Sequence, residues 1–398
     1  MTVSNWTVAL DLFGFWTALT LLAYVYVGYP LVAWMRAALR GQSLSRIPSE
    51  PFVTVIVVAY NEAQQIERRI LNLLSLDYPR AKLEIIVASD GSTDGTVDRA
   101  RHFEPDGVRV VAFDRRRGKA AVLNDVVPSA RGQIAVLGDA RQRFDSRLLR
   151  ELLANFGNPA VGAVSGELVI RSRANERGST IGEGASFYWR YEKFIRRSES
   201  RAHSTVGATG AVYAIRRELF EPIPDDTLLD DVLIPMRIIS RGYRVLFEPG
   251  ARAYDLAVAS PRQEFVRKVR TIAGTFQLFS RERWLFNPFR NPVWFETLSH
   301  KALRLLTPLL HAVVVITNVG LISRPVYRWL LAVQVIFYAA AAAAHVIGQR
   351  RTVLTLKVPY TMCLLVWATV VGFVYFITRQ QRVTWDRVAA SQVPGSWF

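Results

Sequence analysis

Cysteine is nearly absent: the chain has one, Cys363, inside an apolar stretch. A single thiol excludes a disulfide framework and any cysteine-built metal site within one chain. Histidine is sparse too, five scattered residues with no HExxH or paired spacing, so histidine-based zinc chemistry has no carrier. Acidic residues are outnumbered, 33 against 50 Lys and Arg, leaving a formal charge of +17 that is almost all arginine. Such a surplus suits anionic headgroups at a membrane face or phosphate-bearing ligands. Nucleic acid is a third possibility, but no helix-turn-helix, zinc or aromatic-basic module is visible, so no nucleic-acid partner is expected. Internal repeats and low-complexity segments are also lacking.

Apolar sequence is what the chain has in quantity, 51% of 398 residues. Residues 8–35 are apolar apart from Asp11 and long enough to cross a bilayer. No small-residue cleavage site follows a short apolar core, so this stretch reads as an anchor. Arg36, Arg40 and Arg46 follow it, and the positive-inside tendency places what comes next in the cytoplasm. Three more apolar segments lie near 302–322, 329–347 and 358–378. Arg350, Arg351 and Lys357 argue for a cytoplasmic loop between the last two, whereas Arg379, Arg382 and Arg387 argue that the tail is cytoplasmic as well. Both hold only if one segment is re-entrant or interfacial.

The expected organisation is a transmembrane helix over 1–40, a cytoplasmic α/β domain over 41–256, amphipathic interfacial helices over 257–301, three apolar segments over 302–378 and a basic tail over 379–398. Within the α/β domain, Val53–Ala59 and 84–88 are short β-branched runs, read as buried parallel strands. Residues 63–76 have helical spacing, with Ile66, Ile70, Leu73 and Leu74 on one face. Further strands are expected at Val108–Phe113, 133–138, 160–170 and 208–215, giving a mostly parallel sheet covered by helices. Over 261–285 a period of 3.6 puts Phe265, Val269, Ile272, Phe276 and Phe279 on one side of a helix. Arg267, Arg270, Gly274 and Gln277 fall on the other. That is the pattern of a basic helix at a membrane surface, or of a surface helix packed on the soluble domain.

Carboxylates gather at the ends of the expected strands. Tyr60-Asn61-Glu62 follows the first, and Asp90 ends the second within Ser89-Asp90-Gly91-Ser92. Open α/β sheets bind nucleotides beyond the carboxyl ends of their strands; Asp90 with Gly91 also fits an Asx turn. Arg115-Arg116-Arg117-Gly118-Lys119 precedes a helical stretch, and a cation with free N–H groups at a helix start suits a phosphate. Asp139 ends the run 134–137, where it reads as a helix cap or as a ligand for Mg²⁺ or Mn²⁺ beside a diphosphate. Asp230-Asp231 precedes an apolar helical run. The pair reads as dipole compensation or, for one member, as a general base.

Taken in order, Tyr60-Asn61-Glu62, Ser89-Asp90-Gly91-Ser92, Gly118-Lys119 with Asn124, Asp139-Ala140, Gly207-Ala208-Thr209-Gly210, Asp230-Asp231 and Arg267-Lys268-Val269-Arg270 resemble the membrane-integrated family 2 glycosyltransferases. These include cellulose, hyaluronan, chitin-oligosaccharide and poly-N-acetylglucosamine synthases. The resemblance covers roughly 53–285 by motif. It implies a GT-A fold with transmembrane and interfacial helices, a UDP-sugar donor, Mg²⁺ or Mn²⁺, and inversion at the anomeric carbon. It implies that Tyr60, Glu62 and Asp90 border the nucleoside, that Lys119 and Arg270 face the diphosphate, and that Asp139 binds the metal. Asp231 matches the catalytic base; Gly210, Asp230 and Gln277 match acceptor-side positions. The expected partners are the donor, the lipid bilayer and a glycan or lipid-linked acceptor.

Two departures stand out. Arg141 occupies the usual second acidic or polar position of the metal motif, and Thr271 replaces the tryptophan that stacks on the acceptor in processive synthases. Transfer of sugars to a growing polysaccharide, with or without its secretion, is the leading expectation. Transfer of one sugar to a lipid-linked acceptor is the alternative, and an inactive nucleotide-fold scaffold is the rival from another class.

Overall fold

The computed structural model describes residues 5–41, 46–171, 180–256, 261–347 and 354–380. Arg350, Arg351, Arg382 and Arg387, on which the expected C-terminal topology rests, lie outside the described residues.

Among the described residues, eight strands form one sheet: β1 Val53–Ala59, β2 Leu83–Asp90, β3 Val108–Phe113, β4 Ile134–Asp139, β5 Arg143–Phe144, β6 Val161–Arg171, β7 Val212–Arg216 and β8 Arg244–Leu256. Their order is β3-β2-β1-β4-β7-β6-β8-β5. The half containing β3, β2, β1 and β4 is all parallel, as expected of the buried β-branched runs in β1 and β2. The other half is mixed: β6 and β8 pair in parallel, whereas β7 runs antiparallel between β4 and β6, and β5 antiparallel to β8.

Alternation along β1 divides the core into two layers. Val53, Val55, Val57 and Ala59 point to one face, where they meet Ile66, Ile70 and Leu73 of the helix Ile66–Leu74 and the leucines of Leu148–Leu153. Ile56 points to the other, against the helices Lys119–Ser129 and Asp230–Ser240. Each fully buried Ile or Leu contributes roughly 2 kcal/mol by apolar burial, so both layers hold the strand ends rigidly.

The segment 208–215, expected as a strand, pairs only from Val212 onward. Gly207 takes a φ of +83°, and the Ala208 N–H donates to the Asp231 carbonyl at 2.7 Å. That bond draws 207–210 out of the ladder and against the helix beginning at Asp230.

Among the described residues, three helices are long and apolar enough to span a membrane: Asn5–Arg40, Pro325–Ile347 and Thr355–Ile377. The segment expected near 302–322 is instead part of a bent pair, Trp294–Leu305 with Thr307–Gly320, broken by 59° at Leu306. Trp6, Phe13, Trp329, Ile336 and Val346 stand exposed on these helices, an apolar surface that water would not leave uncovered.

The helix Pro261–Arg281 has the two faces its sequence period implies. Phe265 and Val269 are buried against Ala368 and Val371 of the last apolar helix, and the Phe276 ring meets Phe373 and Phe376. The interfacial expectation is therefore sharpened: a protein helix covers this apolar face. The opposite face turns to the α/β domain, where a Cβ on Gly274 would stand 2.7 Å from Leu229.

Candidate active site

Parallel pairing brings three sequence-distant groups to one edge. Ala59 aligns with Ser89, Asp90 with Phe113, and Val58 with Asp139. Beyond β1 the chain turns sharply at Asn61, whose φ of 52° is rare for a residue with a side chain. Its Oδ1 accepts from the Thr93 N–H at 2.8 Å, its own N–H donates to Ser92 Oγ at 3.1 Å, and the Glu62 N–H donates to Thr96 Oγ1 at 2.8 Å. The two strand-end turns are thus stitched into one rim that carries Tyr60 and Glu62.

Asp90 is buried, and both of its oxygens accept backbone N–H groups, from Arg117 at 2.7 Å and Gly118 at 2.8 Å. Its carboxylate braces the arginine-rich loop from below. Gly91 allows this approach: its φ is +65°, and a Cβ would lie 2.4 Å from the Arg116 nitrogen. Gly91→Ala is expected to cost about 2 kcal/mol or more, since backbone strain and overlap act together. Paired thermal melts of the two proteins check this. The braced loop lays the Arg116 guanidinium 3.6 Å from the Tyr60 ring centroid, a close cation–π stack.

Lys119 begins its helix after Gly118 and lies at the centre of an acid cluster. Its Nζ is 3.0 Å from Asp139 Oδ1 and 3.3 Å from Asp230 Oδ2. Burial disfavours its charge, but Asp139, Asp230 and Asp231 outweigh burial and hold its pKa well above the ordinary lysine value. Asp230 is buried and also accepts from Tyr213 Oη at 3.3 Å. Asp231, in the first turn of its helix, has its pKa pushed up to about 6. Burial is the main cause and Asp230 adds to it, while Lys119 and Arg196 oppose. Gly210 leaves space for this carboxylate: a Cβ there would stand 3.1 Å from Asp231 Oδ2.

Arg270 reaches the same cluster from the helix Pro261–Arg281. Burial lowers its pKa to about 10 against the pull of Asp230, Asp139 and Asp231. Gln277, further along the same helix, uses its amide on backbone: Nε2 donates to the Asp226 carbonyl, and Oε1 accepts from the Leu228 N–H. Asn124 likewise holds Ile223 and Asp225. Both amides fix the approach of the chain to Asp230. Thr271 bonds its hydroxyl back to the Arg267 carbonyl, and the Trp284 indole N–H donates to Glu282.

Three members of this site were not expected from the sequence in that role: Arg196, Tyr213 and Arg116. Arg116 belongs to the arginine-rich run before Lys119, which was itself a signal. Arg196 and Tyr213 carry no local signal, because a helix surface and a strand interior present them only after folding.

Among the described residues no group of three or more His, Cys, Asp or Glu side chains is arranged to hold a metal. Asp139 alone fits the demand of a divalent cation that takes most of its oxygens from a diphosphate and water. Its side chain is 35% exposed, Ala140 beside it is buried, and Arg141 offers no oxygen.

Residues 54–223 match the family model described as Glycosyl transferase family 2. The chain carries a family 2 glycosyltransferase domain. Its mixed sheet is that of the GT-A fold. The chain is 26% identical over 239 residues to a poly-beta-1,6-N-acetyl-D-glucosamine synthase of Staphylococcus epidermidis, covering 58% of this chain and 56% of the relative. The Staphylococcus aureus (strain COL) protein of the same description is 27% identical over 237 residues, with the same shares. The chain spans about half the length of the curated relatives it matches. The mannosyltransferase PcManGT of Pyrobaculum calidifontis, solved with GDP-Man and Mn²⁺, superposes with a TM-score of 0.70 at 26% identity. That match covers 92% of this chain and 99% of the mannosyltransferase.

Proposed function

We propose that the protein transfers a sugar, with inversion, from a nucleoside-diphospho-sugar to an acceptor hydroxyl at a membrane. The observation that carries this reading is the cluster at the strand ends, where Lys119 bridges Asp139 and Asp230 beside the half-buried Asp231. A cation among carboxylates at a helix start suits a diphosphate on one side and a base on the other.

In this reading the nucleoside lies along the rim formed by Tyr60, Glu62 and the loop above Asp90. Lys119 and Arg270 face the diphosphate. The acceptor hydroxyl enters past Gly210 and gives its proton to Asp231. Its oxygen bonds the anomeric carbon as the bond to the diphosphate oxygen breaks, and that electron pair leaves with the nucleoside diphosphate. Lys119 and Arg270 are preset to take up the departing charge. Asp139 would hold Mg²⁺ or Mn²⁺, which when bound adds charge neutralisation at the same leaving group.

UDP is the donor nucleotide implied by the family's synthases, whereas the mannosyltransferase neighbour was solved with GDP-Man. A panel of UDP- and GDP-sugars assayed for nucleotide release separates them. Chelation is expected to lower release at least about tenfold, with recovery on adding Mn²⁺ or Mg²⁺; full activity in excess chelator would refute the metal assignment.

Extension of a polysaccharide, with its secretion as a further step, is supported by the synthase relatives. Transfer of one sugar to a lipid-linked acceptor is supported by Thr271 and by the near whole-length likeness to a mannosyltransferase. Product length with the purified protein decides: a ladder supports extension, and a single-sugar lipid adduct supports the second reading. The apolar helices and the arginines after the first support a multi-pass protein of the inner or plasma membrane with its catalytic domain on the cytoplasmic side.

A further inference from the structure

Away from the donor site, a chain of buried charged groups joins the apolar helices to the loop behind Asp231. Tyr29, in the helix Asn5–Arg40, donates its hydroxyl proton to Glu199 Oε1 at 2.5 Å. His300 Nδ1 lies 2.7 Å from the same oxygen, and His300 Nε2 lies 3.1 Å from Glu192 Oε2. Arg304 closes the chain by donating to the other oxygen of Glu192. Tyr29, Glu199 and His300 are each 1% exposed. Both imidazole nitrogens face carboxylates that the surroundings keep ionised, despite burial, through His300 and Arg304. Two such contacts are satisfied together when both nitrogens donate.

The remaining oxygen of Glu199 points to the acceptor side. It accepts from Thr205 Oγ1 at 3.3 Å and from the Val206 N–H at 3.4 Å. Two residues on, the Ala208 N–H holds the Asp231 carbonyl at 2.7 Å, Gly207 rests against Val232, and Gly210 faces the Asp231 carboxylate. The Thr209 N–H donates to Ser165 Oγ at 3.0 Å, which anchors the loop to β6 between its two ends. His300 and Lys301 come from a π-helical turn, Thr297–Ala302, of the kind often kept for function rather than stability. The first apolar helix is held at a second point, where Arg36 pairs with Glu296 at 3.1 Å.

An ionic network this buried is a poor source of stability, since well-packed apolar residues of similar volume would serve as well or better. What it supplies is fixed geometry. We propose that Glu199 and His300 are positioning residues that set the 205–210 loop, and through it Asp231, against the first membrane helix. Catalysis is thereby coupled to the seating of that helix. This rests on the reading of Asp231 as the base.

The test uses the full-length protein in detergent micelles or proteoliposomes, with Glu199→Gln, His300→Gln and Tyr29→Phe. The expected result is a fall in kcat of roughly 10–100-fold for the first two and a smaller fall for Tyr29→Phe. Donor KM and nucleoside diphosphate affinity should stay within about twofold, because the donor rim is untouched. Wild-type kcat in Glu199→Gln, or activity, donor affinity and melting temperature falling together, overturns the positioning role. If Glu199→Gln does not fold, Tyr29→Phe carries the test, since it removes one hydroxyl and leaves the ring in place. Asp231→Asn in parallel separates the two claims: full turnover there sinks the base assignment, whereas an inactive Asp231→Asn beside a fully active Glu199→Gln sinks only the positioning role.

Discussion

Asp231→Asn is expected to lower sugar transfer by about a thousandfold or more while nucleoside diphosphate binding survives. The amide keeps the shape of the carboxylate but cannot take a proton, and general-base catalysis is typically worth roughly 10²–10⁴-fold. Asp231 titrates at about 6 in the folded protein, raised mainly by burial and further by Asp230. The base works ionised, so turnover should climb as pH rises through about 6 and level off above it. In Asp231→Asn this acid limb should vanish from the residual rate. The stability sign runs the other way. A carboxyl whose folded pKa exceeds its unfolded value of 3.8 favours the fold most below that value. That contribution is lost as pH rises through about 6. At pH 7 and above the ionised side chain therefore strains the fold, and the asparagine variant should be the more stable protein, by on the order of 2 kcal/mol. A variant that is both less active and less stable would point to a structural role for Asp231 instead. Nucleotide binding by titration calorimetry, turnover from pH 5 to 8 and thermal melts read all three.

Lys119→Met carries the second large effect. The ammonium touches Asp139 and Asp230 and lies within the field of Asp231. Removing one partner of a buried charge cluster typically costs roughly 3–5 kcal/mol, because the remaining charges stay buried and repel. The Lys119 side chain keeps 20% of its surface exposed, so a loss at the low end, about 3 kcal/mol, is expected. Nucleoside diphosphate affinity should fall roughly 10–100-fold with the loss of a charge-assisted contact. A third consequence is specific to this geometry. Lys119 holds the Asp231 pKa down, so the acid limb of the pH–rate profile should move to higher pH in the variant. An unshifted limb with full nucleotide affinity would show that Lys119 serves the fold alone.

Local chemistry is legible along the chain wherever one element can express it. Val53–Ala59 and Val108–Phe113 read as strands because short runs rich in valine and isoleucine fit a pleated, packed surface. The helix Pro261–Arg281 discloses its two faces through a 3.6-residue period, which alone sets Arg270 opposite the phenylalanines. The side-chain partners are less accessible. Asp90 stands at its strand end as expected, yet its oxygens are taken by the Arg117 and Gly118 backbone. Gln277 stands on the expected face, yet it holds Asp226 and Leu228. Position follows from periodicity, but which hydrogen bond a polar group makes depends on whatever folds against it.

The strands of the parallel half, the carboxylates at their ends, the apolar stretches and the motif order shared with family 2 glycosyltransferases can all be read along the chain. Each is a property of residues near one another along the chain, where strand and helix periods apply directly. The antiparallel insertion of β7, the bend at Leu306, the place of Arg196 and Tyr213 beside the acids, and the pairing of Glu199 with His300 across 101 positions emerge from folding alone. Contacts between residues so far apart arise from the packing of whole layers, and no local pattern of side chains encodes them.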